Sequence, residues 1–323
     1  MVGIGVDVGG TGTKAGIVDA RGEILSRTHV PTDPTAGTKG IIAVVEELLE
    51  RAGPEGWTVS SVGIGAAGFI DSEHGSVTFS PNLVYDDPQV AAAVRARTEL
   101  PVVVDNDANA AVWGEYRYGT ARGCKHVAMI TIGTGIGSGF IIDGRLLRGA
   151  TGAAAEFGHT VVEIDGPACP CGLRGCLEPL ASGTGIARMG SEAAVEDPHS
   201  SIHAFSGQGG PVTAEHVAKA ARQMDETAKK VLRRAGRALG VGLSNLVNAF
   251  DPEVIVLGGG VIRAGEPFLG CARDQLNEMM QQQRRRPVRL DVTKLGDDAG
   301  IVGAAALGLE PLDSWEGQHH GDD

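Results

Sequence analysis

Residues 3–25 read GIGVDVGGTGTKAGIVDARGEIL, and this stretch decides the fold class. Apolar residues alternate over 4–8 as in a β-strand, and a glycine-rich turn follows at 9–13. A second apolar run at 15–18 comes directly after the turn, and a further turn, DARG at 19–22, leads to a third run. Because the glycine-rich turn is followed by a strand rather than a helix, the pattern predicts a β-hairpin extended by a third strand.

Residues 127–147, VAMITIGTGIGSGFIIDGRLL, repeat the same order of strand, glycine-rich turn, strand, Asp-Gly turn and strand. The repetition indicates an internally duplicated α/β protein with two domains around a cleft. We expect a small domain at 1–107 that the C-terminal helix 298–310 completes, a large domain at 108–297, and a disordered tail at 311–323. Apolar periodicity predicts further helices at 38–52, 108–118, 213–249, 266–282 and 299–309.

The composition excludes several classes of protein. Glycine contributes 49 of 323 residues, about twice its ordinary share of about 7%, but without the three-residue period of collagen. A hydrophobic fraction of 42% is too high for a disordered chain, and a net charge of −12 disfavours non-specific nucleic-acid binding. No membrane span and no secretory signal are recognisable, so we expect a cytoplasmic protein with reduced cysteines.

The glycines cluster at 9–12, 133–139, 183–185 and 258–260. Bare backbone lets a phosphate approach main-chain N–H groups, although tight turns with positive φ also favour glycine. Neither the P-loop pattern nor the dinucleotide fingerprint is present, which predicts a hairpin-type phosphate site. In the first cluster Thr11 and Thr13 add hydroxyl donors, Lys14 adds a positive charge, and Asp7 is a candidate magnesium ligand. The candidate phosphate residues there are Asp7, Gly9, Gly10, Thr11, Gly12, Thr13 and Lys14.

Four potential metal ligands, His159, Cys169, Cys171 and Cys176, fall within 18 residues at the spacing H-x9-C-x-C-x4-C. Three thiolates and one imidazole suit tetrahedral Zn²⁺, and a full set of four protein ligands is typical of a structural site. The alternatives are buried free cysteines or a disulfide. A reducing compartment disfavours the disulfide, which would also leave one cysteine unpaired.

Carboxylates flank this zinc box. Glu156 precedes His159 by three residues and Glu178 follows Cys176 by two, so both can accept hydrogen bonds from a polyhydroxylated ligand or can be solvated surface groups. The sequence Asp-Asn-Asp at 105–107 follows a predicted buried strand and precedes a helix. Polar residues at that position form a site or cap the helix, and one residue can cap while another is functional.

These motifs together resemble the ROK family of sugar kinases and repressors, and within it the bacterial glucokinases that use ATP. The similarity runs nearly end to end, and its most specific element is the zinc box. The segments that carry it are DVGGTGTK at 7–14, AAGFID at 66–71, VDNDANAAVWGE at 104–115, IGTGIGSGFI at 132–141, AAEFGH at 154–159, CPCGLRGCLE at 169–178, LGGGV at 257–261 and DDAG at 297–300.

The resemblance implies an actin-like ATPase fold of the ribonuclease H-like type. It implies that Asp107 is the catalytic base and that His159 binds zinc with one ring nitrogen while the other faces the sugar. The sugar-binding residues it implies are Gly68, Asn82, Asn106, Asp107, Glu156, His159 and Glu178. The nucleotide-binding residues it implies are the 7–14 turn with Gly133, Thr134 and Gly135 at the phosphates, and Gly259 and Gly260 near the adenosine.

The expected activity is phosphorylation of glucose at its 6-hydroxyl with ATP, Mg²⁺ and a structural Zn²⁺, in a homodimer or homotetramer. The alternatives are a kinase for fructose, mannose or N-acetylmannosamine, or a polyphosphate-dependent enzyme. A different class is a non-catalytic, sugar-responsive regulator. Such regulators resemble this chain but carry an N-terminal helix-turn-helix, for which we expect no room before Asp7.

Overall fold

The computed structural model describes residues 1–80, 83–207 and 210–310. Asn82 and the tail 311–323, both subjects of sequence-based expectations, lie outside the described residues. The strands are β1 (Val2–Val8), β2 (Gly12–Asp19), β3 (Ile24–Pro31), β4 (Val59–Ala66), β5 (Phe69–Asp71), β6 (Ser76–Phe79), β7 (Val102–Asn106), β8 (Val127–Ile132), β9 (Ile136–Ile142), β10 (Arg145–Leu146), β11 (Val254–Gly258) and β12 (Arg289–Val292). The α-helices are α1 (Gly37–Ala52), α2 (Val90–Thr98), α3 (Asp107–Tyr118), α4 (Glu178–Ala181), α5 (Gly183–Glu196), α6 (Ile202–Ser206), α7 (Ala214–Arg222), α8 (Glu226–Phe250), α9 (Glu266–Gln282) and α10 (Ala299–Leu309). Short 3-10 helices span Phe157–His159, Gly260–Ala264 and Gly296–Asp298.

Two five-stranded sheets share one strand order, β3-β2-β1-β4-β7 and β10-β9-β8-β11-β12. The predicted N-terminal hairpin is confirmed, because β1 and β2 pair antiparallel from Val2 opposite Asp19 to Val8 opposite Thr13. β4 runs parallel to β1 and β7, and β11 runs parallel to β8 and β12. The α/β class and the duplicated order are therefore as the sequence predicts.

The chain divides into two compact units. Of the described residues, the first unit contains those within 1–125, 139–155 and 293–310, and the second contains those within 126–138 and 156–292. The first unit thus extends past the boundary expected at Asp107. The physical reason is that α3 packs closely on α10, where a Cβ at Gly303 would overlap the carbonyl of Ala110.

Strand alternation builds the core of the first unit. Ile4 and Val6 point to one face of the sheet, where they form a buried cluster with residues of α1. Gly5 and Gly63 point to the other face, where a Cβ would overlap the carbonyls of Ile301 and Ala304 respectively. Helix α10 is built from small apolar residues that are buried all round, so it lies directly on the strands and covers the sheet.

The second unit is organised by α8 and α9, which pack on each other through close backbone approach. A Cβ at Gly236 would overlap the carbonyl of Phe268, which explains one glycine in a helix interior. The helical region predicted at 213–249 is two helices, since Met224 has a positive φ of 67° and Asp225 caps α8 by accepting from the Ala228 amide. Among the described residues, no helix has the length and apolar character needed to span a membrane.

Candidate functional site

The polar triplet at the end of β7 divides its roles among three residues. Asn106 is the cap of α3, and its Oδ1 accepts from the amides of Ala108 at 2.9 Å and Asn109 at 3.2 Å. Its Nδ2 donates to the Gly68 carbonyl at 3.1 Å. An amide side chain has two N–H donors, and the Asn106 side chain also forms a hydrogen bond with the Asp107 carboxylate, so both donors are used within the protein.

Asp105 is a structural residue within the triplet. Its carboxylate is buried and accepts from Arg148 Nε at 2.8 Å and from Asn109 Nδ2 at 2.9 Å, while Arg148 Nη2 lies 2.7 Å away. Both guanidinium nitrogens of Arg148 meet the single oxygen Oδ2, and this ion pair fixes the end of β7 against the segment that follows β10. The sequence analysis assigned no partner to Asp105, and no local pattern connects it with an arginine more than forty residues away.

Asp107 begins α3 and is half-buried. Burial raises the pKa of Asp107, although the hydrogen bond that its Oδ1 accepts from the Ala108 amide opposes the shift. Burial and the negative charge of Asp107 raise the pKa of Asp7 to about 7, against the opposing charge of Lys14. A carboxylate with a raised pKa is a stronger base, and paired carboxylates offer the oxygen ligands that Mg²⁺ takes.

The glycine turn between β1 and β2 is held closed by threonines. Thr32 donates its only hydroxyl hydrogen to the Gly9 carbonyl at 2.8 Å, so Thr13 must donate in the 3.0 Å contact between the two hydroxyls. Thr13 is buried and its hydroxyl contacts Thr32, so a contact between this residue and a phosphate stays a prediction. Thr11 is exposed, and Lys14 lies opposite Asp7 in the strand pairing. The Thr11 hydroxyl and the Lys14 ammonium group are therefore suited to contact a ligand.

The zinc box closes on itself in the second unit. The ligand atoms of His159, Cys169, Cys171 and Cys176 all lie within 4.8 Å of one another. His159 Nδ1 is 3.5 Å from Cys169 Sγ, and Cys171 Sγ is 3.7 Å from Cys176 Sγ. A tetrahedral site with Zn–S of about 2.3 Å and Zn–N of about 2.0–2.1 Å places N and S about 3.6 Å apart and two S atoms about 3.8 Å apart. The observed distances agree with these values, so the cluster fits Zn²⁺.

The thiols of the cluster differ in acidity, since a hydrogen bond from the Leu173 amide lowers the pKa of Cys171. Burial raises the pKa of the Cys169 thiol and, with the neighbouring thiols, raises that of Cys176 to about 12. A bound metal supplies the positive charge that lets such thiols ionise. His159 directs Nδ1 at the thiols and Nε2 toward Glu156, 3.8 Å from Oε2. With a metal on Nδ1, the remaining proton sits on Nε2, which then donates on the side of Glu156.

Both ends of the zinc box are tied to the start of β9. Glu178 Oε2 accepts from the Ile136 amide at 2.9 Å, and a Cβ at Gly135 would meet the same carboxylate. From the other end, the Phe157 amide donates to Ser138 Oγ at 3.1 Å. Glu178 is therefore a brace of the 133–135 turn, while its Oε1 has no hydrogen-bond partner among the described residues.

A cavity of about 820 Å³ opens beside the 133–135 turn. Its size is in the range of small-molecule sites. The first amides of α5 support the turn, since Gly183 N donates to the Gly133 carbonyl at 2.8 Å and Thr184 N to the Thr134 carbonyl at 3.2 Å. The lining residues are Gly133, Thr134, Gly183, Thr184, Ile186, Ala187, Val212, Thr213, Ala214, Glu215, Ala218, Arg222, Gly260, Val261, Arg263 and Ala264.

At two glycines of this cavity, the space that a side chain would occupy is open. A Cβ at Gly133 or Gly260 would meet nothing within 4 Å, and neither residue has positive φ, so neither packing nor backbone conformation requires glycine there. Gly259, by contrast, does not line the cavity. Its φ is 86° and a Cβ would overlap the Ile132 backbone, so backbone conformation and packing both require glycine there. A contact of Gly259 with the nucleotide stays a prediction.

Sequence reasoning missed several residues of these sites: Thr32, Ser138, Arg148, Thr184 and Arg263. The glycine cluster at 183–185 was the available signal for Thr184, but it had no assigned ligand. The others are distant in sequence from the motifs that they support, so only the folded chain connects them.

The 3–310 segment matches the model of the ROK family. The chain is 40% identical to a glucokinase of Streptomyces coelicolor over 312 residues, which cover 95% of this chain and 98% of that protein. It is 38% identical to a glucokinase of Thermotoga maritima, over 94% of this chain and 96% of that one.

Solved structures agree with these sequence matches. A ROK family glucokinase from Streptomyces griseus in complex with glucose and AMPPNP is 42% identical, has a TM-score of 0.82, and covers 95% of this chain and 99% of its own. The similarity confirms the actin-like α/β fold that the sequence predicts. The chain belongs to the ROK family.

Proposed function

We propose that the protein is an ATP-dependent glucokinase, which transfers the γ-phosphoryl group to the 6-hydroxyl of glucose. The observation that carries the proposal is the environment of Asp107. Its two neighbours in the triplet already have structural roles, since the charge of Asp105 is neutralised by Arg148 and Asn106 caps α3. Asp107 is left as a carboxylate whose pKa burial raises, at the start of a helix, where a base is needed.

Asp107 takes the proton of the 6-hydroxyl while that oxygen attacks the γ-phosphorus and the bond to ADP breaks. General-base catalysis of this kind contributes about 10²–10⁴-fold. Asp7 holds Mg²⁺, directly or through water, and Lys14 adds positive charge near the phosphates. The two carboxylates repel each other in the absence of a cation, as the raised pKa of Asp7 indicates.

For the sugar, we assign hydroxyl contacts to Gly68, Asn106, Glu156, His159 and Glu178, and Asn82 remains an expected contact. The chemistry is complementary, because the Nε2–H of His159 donates, whereas Glu156 and Glu178 Oε1 accept, and Asn106 can exchange an internal hydrogen bond for one to the sugar. Zn²⁺, held by His159, Cys169, Cys171 and Cys176, supplies no chemistry to the transfer and fixes the tautomer of His159.

For the nucleotide, we assign the phosphates to Gly9, Gly10, Thr11 and Gly12 and to the Gly133, Thr134 and Gly135 turn. The adenosine is assigned to the cavity beside Gly260, with Gly259 as its structural support. The cavity volume and the open space at Gly133 and Gly260 support this assignment. We further propose that the enzyme acts in the cytoplasm as a homodimer or homotetramer, without nucleic-acid or membrane partners.

The test is an ADP-release assay over a panel of glucose, fructose, mannose and N-acetylmannosamine, with ATP or polyphosphate as donor. We expect the highest kcat/KM with glucose and ATP. Asp107→Ala is expected to lose about 10²–10⁴-fold in kcat while it still binds glucose in calorimetry. Asp291→Asn on β12, which removes one exposed carboxylate, is the matched control. Wild-type turnover in Asp107→Ala, or no turnover of any sugar by the wild type, would refute the proposal.

A further inference from the structure

Helix α8 carries a concentration of positively charged side chains that the assignments to ATP and glucose do not use. Lys230, Arg233, Arg234 and Arg237 follow one another at i, i+3, i+4 and i+7, so they share one face of the helix. They line a cavity of about 410 Å³, together with Glu163 and the apolar side chains of Val162, Leu180, Ala238 and Val241. The cavity lies wholly within the second unit.

The positive charges of this face are poorly compensated. Arg234 lies 3.6 Å from Glu163, and Arg233 lies 3.4 Å from Glu226, both as solvent-exposed pairs. Exposed pairs of this kind contribute little. Lys230 and Arg237 have no ion-pair partner in the part of the chain that the structure describes. Four cations against one carboxylate in the lining are unexpected in a chain with a net charge of −12.

Like charges at these spacings destabilise a helix, so a bound anion would reduce the repulsion among the four side chains and stabilise α8. Guanidinium groups match phosphate oxygens through paired N–H donors, and a lysine adds a further charge. The apolar floor of Val162, Leu180, Ala238 and Val241 offers no partner to a bare inorganic ion but can pack against a carbon skeleton. The chemistry therefore fits a small phosphate ester better than free phosphate.

We propose that this cavity is a second ligand site, which binds a small phosphorylated metabolite rather than a substrate of the kinase. The phosphate contacts Lys230, Arg233, Arg234 and Arg237, and the carbon skeleton packs on the apolar floor. Binding displaces Glu163 from Arg234. Glu163 lies between His159 and Cys169 of the zinc box, and its amide donates to the Gly175 carbonyl at 3.1 Å, so the ligand also contacts the zinc box.

Isothermal titration calorimetry tests the proposal on the full chain saturated with glucose and a non-hydrolysable ATP analogue, so that the substrate sites are filled. Glucose 6-phosphate and inorganic phosphate are titrated separately at low salt. We expect saturable binding of the ester with a Kd of about 1 mM or below, weaker binding of inorganic phosphate, and a loss of affinity as salt is added.

The double variant Lys230→Gln/Arg237→Gln is expected to weaken binding of the ester about tenfold or more. Arg273→Gln, at an exposed position of α9, removes one positive charge elsewhere on the same unit and is expected to bind as the wild type does. Circular dichroism and the kcat for glucose without added ester establish that the double variant is folded. The absence of saturable binding in the wild type would overturn the proposal. Equal affinity in wild type and double variant, or an ester that binds no more tightly than inorganic phosphate, would also overturn it.

Discussion

Replacement of Glu178 by alanine is expected to weaken nucleotide binding as well as glucose binding. The reason lies in its two oxygens, because Oε2 accepts from the Ile136 amide at 2.9 Å while Oε1 is left for a sugar hydroxyl. The variant removes the brace of the 133–135 turn and leaves a partly buried N–H without an acceptor. A purely sugar-binding residue would affect glucose alone.

The magnitude follows from the hydrogen bond that is lost. A hydrogen bond to a charged group contributes about 1.5–3 kcal/mol, which corresponds to roughly 10- to 150-fold in an equilibrium constant at about 1.4 kcal/mol per decade. This range is an upper limit for the loss of nucleotide affinity, since part of the cost also falls on the unliganded protein. Glu178→Gln keeps an acceptor for the Ile136 amide and loses only the charge, so a smaller effect is expected.

The assay is calorimetric titration of Glu178→Ala, Glu178→Gln and Glu156→Ala with a non-hydrolysable ATP analogue and, separately, with glucose. Glu156 is the matched control, because it lies near His159 rather than at the glycine turn. We expect all three variants to lose glucose affinity and the losses of nucleotide affinity to rank Glu178→Ala, Glu178→Gln, Glu156→Ala. If Glu178→Ala binds the nucleotide as the wild type does, the bracing role is wrong.

Three further predictions follow from the structure. The folded-state pKa of Asp7 is raised to about 7 from 3.8, so its ionisation costs stability as pH rises through that window. Asp7→Asn should therefore raise the free energy of unfolding at about pH 8 by up to about 4 kcal/mol, seen as a higher Tm, and raise it much less at about pH 4. Mg²⁺ should reduce the difference between the two pH values, and equal effects at both would contradict the prediction. Cys171→Ser should lose zinc by elemental analysis and then glucose affinity, and unchanged metal content would reject the zinc site. Gly63→Ala should destabilise the protein by about 1–3 kcal/mol in thermal unfolding, because the new Cβ overlaps the Ala304 carbonyl. Gly40→Ala, at an exposed position of α1, should stabilise it slightly, and an unchanged Tm in Gly63→Ala would show that α10 can shift.

The triplet at 105–107 shows how much of the site the sequence alone can predict. Its place after a buried strand and before a helix predicts both a cap and a functional carboxylate, and the structure assigns the cap to Asn106. The division between Asp105 and Asp107 depends on Arg148, which arrives from a distant segment and neutralises only one of them. A local pattern carries no information about such a partner.

The glycine excess is a second example. The sequence predicts bare backbone for phosphates and a metal, and the open space at Gly133 and Gly260 agrees with that interpretation. Gly63, Gly236 and Gly303 have a different cause, since helices there approach a strand or another helix backbone to backbone. Periodicity cannot distinguish these cases, because both place glycine among apolar residues.

The sequence by itself determined the repeated hairpin, the α/β class and the zinc box, because strand alternation, turn residues and close ligand spacing are local properties of the chain. The family motifs lie in those same local segments. Only the tertiary structure decided which groups remain available for chemistry. Thr13, Asp105 and Gly259 stand within predicted motifs, yet packing commits the first two to internal hydrogen bonds and the third to a close backbone contact. Residues that are distant in sequence determine which hydrogen-bond donors are already used and which carboxylate pKa values are raised. They also bring Glu178 against the 133–135 turn, and all of these residues meet only after folding.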